Sequence, residues 1–114
     1  MYKGADFNLK DKEDFTPLHI AVQKGRSKFV DLLLKQGVDI EFRSKRGYAP
    51  LNVAVGEGNT DMVLTLLSAG ADTRPRSRDS LEVLHQAVYL KDIDCLRHLL
   101  SYGADPSTKQ LPNL

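Results

Sequence analysis

The chain repeats itself every 33 residues, and that period constrains its fold more than any other feature. Thr16-Pro-Leu-His-Ile-Ala-Val returns as Ala49-Pro-Leu-Asn-Val-Ala-Val and, more loosely, as Glu82-Val-Leu-His-Gln-Ala-Val. A second signature keeps the same step: Gly4-Ala-Asp, Gly37-Val-Asp, Gly70-Ala-Asp and Gly103-Ala-Asp. Between them Val30, Leu33 and Leu34 align with Val63, Leu66 and Leu67, then with Leu96, Leu99 and Leu100, without an insertion.

Each unit reads as a pair of short helices. Thr16 is a good N-cap and Pro17 stands where a first-turn proline loses no hydrogen bond. Leu18, Ala21 and Val22 then fall on one helical face. Gly25 supplies the left-handed residue that closes the helix. A second helix is predicted from about Ser27 to Gln36, with Phe29, Val30, Leu33 and Leu34 as its apolar face, and Gly37 closes it. The polar run Arg43-Ser-Lys-Arg-Gly-Tyr suits a hairpin-like connector. Such a pair cannot bury both flanks alone, so neighbouring units must stack.

This pattern closely resembles the ankyrin repeat, whose signature is a Thr-Pro-Leu-His-x-Ala helix start and a Gly-Ala-Asp ending on a 33-residue step. The resemblance covers almost the whole chain. It implies an all-α, ankyrin-type solenoid of stacked antiparallel helix pairs joined by hairpin-like connectors, with connector tips and first helices lining a concave face. Complete units are expected at 11–43, 44–76 and 77–109. Residues 1–10 read as the tail of an earlier unit, and 110–114 as a C-terminal remnant.

The third unit departs most from the pattern. Glu82-Val83 replaces Thr-Pro, Gln86 replaces an apolar residue, and Lys91 replaces the closing glycine, so the turn between its helices is expected to differ from the others. Asp79-Ser-Leu-Glu82 has the spacing of a capping box, which predicts a helix starting about two residues early. Arg97 and His98 stand where the second unit has Leu64 and Thr65. These changes suit a polar, cap-like end of the array.

Composition excludes several roles. In 114 residues the apolar fraction of 41% and charged fraction of 27% are those of a folded protein, and the net charge of +1 gives no global pull toward nucleic acid or membrane. Cys95 is the single cysteine, which fits a reduced, intracellular chain of cytoplasm or nucleus. No secretory signal or membrane-spanning run is visible, and no membrane insertion is expected. His19 and His85 share one register, with Asn52 between them. One histidine per unit gives no metal cluster, and the resemblance implies a helix-start histidine bonded to the connector. Cys95 and His98 are helical neighbours, but two ligands fall short of a structural zinc site, and a nucleophile–base pair would need an orienting group. No enzyme, cofactor or metal is expected.

Two features point to a binding role. Phe15, Tyr48, Leu81 and Leu114 share the position before the Thr-Pro site, and Gln23-Lys24, Gly56-Glu57 and Tyr89-Leu90 share the end of the first helix. The resemblance implies that these registers face a partner, and large apolar side chains there are the usual anchors of an interface. Connector tips carry Arg43, Lys45 and Arg46, then Arg74, Arg76 and Arg78, which stacking would gather into one basic patch. Ser77, in Arg74-Pro-Arg-Ser, resembles a basophilic phosphorylation site that would dilute that patch. The partner expected is another protein or peptide, acidic and partly hydrophobic. Nucleic-acid binding through the basic tips and an architectural spacer role are the alternatives. The chain itself is expected to be a monomer or part of a longer array.

Overall fold

The computed structural model describes residues 9–73 and 79–103. They form six α-helices, with no strand among them: α1 (Pro17–Gln23), α2 (Ser27–Lys35), α3 (Pro50–Gly56), α4 (Thr60–Ser68), α5 (Asp79–Tyr89) and α6 (Ile93–Ser101). Each odd-numbered helix packs on the even-numbered one that follows it. The pairs stack through two rows, α1–α3–α5 along one side and α4–α6 along the other. One continuous core results. Leu18, Val22 and Val30 lead into Leu51, Val55, Val63 and Leu66, and these into Leu84, Ala87 and Leu99, all buried. Removing a Leu or Val side chain from water contributes roughly 1.5–3 kcal/mol, and none of the pairs could bury these residues alone.

The turn inside each pair is the same hydrogen-bonded knot. In the first, Gly25 N–H donates to Val22 O at 3.1 Å and Arg26 N–H to Ala21 O at 2.9 Å. In the second, Gly58 and Asn59 bond Val55 O and Ala54 O at 3.0 and 3.2 Å. The third turn, expected to differ, does not: Lys91 and Asp92 bond Val88 O and Ala87 O, both at 3.0 Å. Lys91 adopts φ +58°, beside +70° at Gly25 and +68° at Gly58. Two tertiary-anchored helices set the chain direction on either side, and the lysine accepts the left-handed conformation they impose.

The connectors repeat too. Ser44 N–H donates to Tyr48 O and Gly47 N–H to Ser44 O, at 2.9 and 2.8 Å, with Gly47 at φ +85°. One step earlier Asp11 N–H bonds Phe15 O and Asp14 N–H bonds Asp11 O, and Asp14 takes φ +63°. Successive connectors are tied by Lys45 N–H to Glu13 O at 2.9 Å.

Three further sequence expectations change. Helix α5 begins at Asp79, four residues before the position of Pro17 and Pro50, rather than about two. Phe29, expected on a buried face, is 60% exposed, because its side turns away from the second pair; its counterpart Met62 is 2% exposed. His85, expected to share the role of His19, is exposed. The earlier start of α5 puts His85 in mid-helix, where no free N-terminal amide awaits it.

Candidate functional site

The frame of the site is polar bonding buried between units. His19 is fully buried. Its Nδ1 accepts the Thr16 backbone N–H at 3.2 Å and lies 2.8 Å from Thr16 Oγ1, while Thr16 Oγ1 accepts His19 N–H at 3.4 Å. A backbone N–H can only donate, so Nδ1 is unprotonated and Nε2–H donates to Tyr48 O at 2.8 Å. The imidazole therefore joins the first helix to the next connector, as the resemblance implied. Burial pushes its pKa below the usual histidine value, against smaller opposing effects of the Tyr48 carbonyl and Asp11.

In the second pair Asn52 does half of this work, its Oδ1 accepting Ala49 N–H at 3.0 Å. Its amide nitrogen donates to Gln86 Oε1 at 3.3 Å, and Gln86 Nε2 donates back to Asn52 O at 3.4 Å. Gln86, the residue that broke the apolar pattern, is thus the partner that buried Asn52 requires. Sequence reading missed this bond, although both departures from the repeat lie in facing registers.

A family model described as Ankyrin repeats (3 copies) matches residues 1–79, and a second, Ankyrin repeat, matches residues 83–110. The chain belongs to the ankyrin-repeat family. No curated protein matches it. Ankyrin repeats generally serve as protein-interaction modules and are typically non-catalytic scaffolds.

On this ankyrin framework the expected contact residues separate into groups. Phe15 and Tyr48 are half-buried and packed against the core. Phe15 stacks on His19 with ring centroids 5.0 Å apart, and Phe42 meets the same imidazole edge-on at 6.3 Å. Gln23, Lys24, Glu57, Tyr89 and Leu90 are exposed at the ends of α1, α3 and α5, which lie side by side. Tyr89 is 85% exposed. Val88 and Ile93, which the sequence reading passed over, are exposed beside it in the chain. Ile93 had a signal, since Ser27 and Thr60 hold its register in the other pairs. Leu81 lies in the first turn of α5, with its side chain outside the described residues.

Of the basic tips, Lys45 and Arg46 project into solvent. Arg43 is half-buried and donates through Nη1 to Gly47 O at 3.4 Å, folding across its own tip. Arg74, Arg76, Ser77 and Arg78 lie outside the described residues. An acidic group tempers the first tip: Glu41 Oε2 accepts Asp72 N–H from the next connector at 2.8 Å. Burial pushes the Glu41 carboxyl above its ordinary range, with the Asp72 amide pulling the other way.

Cys95 is buried, and burial with the nearby Asp92 carboxylate pushes its thiol up to about 11. A thiol raised this far is protonated at neutral pH. The Cys95 N–H is capped by Asp92 Oδ1 at 3.0 Å, and the residue packs as a small apolar side chain. Among the described residues no three His, Cys, Asp or Glu stand together as a metal site, and no helix is long and apolar enough to cross a membrane.

Proposed function

We propose that this ankyrin array is a non-catalytic interaction module that holds a protein or peptide partner across the ends of its first helices. The observation that carries the proposal is Tyr89, a large aromatic left 85% exposed on a rigid helix end where the equivalent residues are Gln23 and Gly56. Leu90 and Ile93, exposed close to it in the chain, add apolar surface. An exposed tyrosine flanked by aliphatic side chains is the usual composition of an interface anchor. Lys45 and Arg46 on the connector tip, with Arg76 and Arg78 in the following segment of the chain, favour an acidic partner that is partly hydrophobic.

The test compares the intact chain with Tyr89→Ala/Leu90→Ala as bait, with bound proteins quantified by mass spectrometry. A specific partner should fall more than ten-fold with the variant, corresponding to about 1.4 kcal/mol, while circular dichroism is unchanged. Partners recovered equally by both baits remove the assignment. Nucleic-acid binding is separated by salt: an oligonucleotide held by the tips would show a steep, log-linear loss of affinity that Lys45→Glu/Arg46→Glu flattens.

A further inference from the structure

We propose that the partner segment is extended and charge-ordered, with its acidic end over the first inter-helix turn and its basic end, beside an apolar side chain, over the groove between the second and third. This rests on the reading of the array as an interaction module and names the chemistry of what it holds.

The inter-helix turns form a row along one side of the molecule. A Cβ on Gly25 would stand 3.6 Å from the Asn59 side chain, and the second and third turns line one groove together. Exposure here belongs to the registers and not to the ends of the stack. The middle pair packs on a neighbour at either side, yet Gly56, Glu57 and Asp61 are exposed.

Charge changes sign along the row. At three equivalent registers the residues are Lys24, Glu57 and Leu90; Arg26, Asn59 and Asp92; and Lys28, Asp61 and Asp94. Lys24, Arg26 and Lys28 are exposed and hold no ion pair with a described residue. At the other end the groove, open and of about 540 Å³, sets Glu57, Asp92 and Asp94 against one cation, Lys91. Its apolar lining is Leu90 and Ile93, 45% and 67% exposed. Asp92 is engaged in capping Cys95 N–H, and Asp94 holds only a loose pair with Arg97 at 3.9 Å. Glu57 and Asp94 are therefore the carboxylates placed to meet a partner's cation, with Leu90 and Ile93 beside them for its apolar neighbour.

Unlike ends select a partner of matching order. A segment acidic throughout is repelled by Glu57 and Asp94, and one basic throughout by Lys24, Arg26 and Lys28. The acidic character favoured by Lys45 and Arg46 then belongs to part of the partner. Packed helices stand about 8–10 Å apart, so the two ends of the row are about 15–20 Å apart, which an extended chain covers in about five or six residues.

Selection of a random peptide library, displayed on phage, against the intact chain tests this. Retained peptides should carry Lys or Arg next to an aliphatic or aromatic residue, and Asp or Glu about five or six residues away on one constant side. A synthetic copy of the most enriched peptide should bind Glu57→Lys/Asp94→Asn and Lys24→Gln/Arg26→Gln roughly ten-fold more weakly, with helicity by circular dichroism unchanged. Changing the peptide's cation to Glu should restore its affinity for Glu57→Lys/Asp94→Asn alone. Retained peptides that are acidic throughout, or binding that neither charge variant weakens, overturn the charge order. If Tyr89→Ala/Leu90→Ala still abolishes that binding, the interaction module itself stands. Retention of no peptide removes both.

Discussion

His19 holds the most demanding position of any single residue, neutral and bonded at both ring nitrogens in a dry interior. Its folded pKa lies below the ordinary 6.5, so the unfolded chain binds a proton more readily. Stability should be fully present above that value and decline as pH falls through it. Urea unfolding from pH 8 to 5 should show this decline, and His19→Asn, which copies the second unit, should flatten it. Glu41 has the opposite sign. Its folded pKa lies above the usual 4.5, so it weakens the native state as pH rises past that point. Glu41→Gln keeps an acceptor for Asp72 N–H and should leave the protein at least as stable at pH 7, with the advantage vanishing in acid. Lys91 is a backbone effect: Lys91→Gly should raise stability by about 0.5–1 kcal/mol, the left-handed strain relieved less the entropy of glycine. Gly58→Ala should lose about 1 kcal/mol in the same assay, since a Cβ there meets nothing within 4 Å and only φ resists it.

Helices and their partners explain which parts of the molecule the sequence made legible. The 33-residue step fixed the helix pairs and their turns, because Pro17, Pro50, Gly25 and Gly58 each act through local backbone geometry. What a repeat cannot convey is which copy has a neighbour. Phe29 and Met62 share a register, but among the described residues only Met62 has a helix pair over it. His85 matches His19 in letters, and a helix start moved four residues upstream removes its purpose. Lys91 broke the glycine rule while the turn survived, since the surrounding bonds outweigh one strained residue. Asn52 and Gln86 call for a double-mutant cycle. Asn52→Leu or Gln86→Leu alone strands a polar partner and should cost about 1–3 kcal/mol, whereas the double variant should cost less than the sum. Full additivity in thermal or urea unfolding would show that the two amides act independently.

Among the described residues the helix pairs stand in a line, and the middle pair packs on both others. Leu66 and Leu99 are both fully buried at the same register. Replacing either by alanine should cost about 2–5 kcal/mol, but the outcomes should differ in kind. Leu66→Ala removes the support of both neighbours and should lower a single cooperative transition. Leu99→Ala loosens one end, and amide exchange should accelerate in α5 and α6 well before α1 and α2. The paired amides of Asn52 and Gln86 set a limit on how such a line can be rearranged. Excising the middle segment would remove the Tyr48 carbonyl that His19 serves and would set Gln86 against His19 in place of Asn52. The three segments look interchangeable by length, yet they carry an order, like numbered stones of an arch that lock only in their own places.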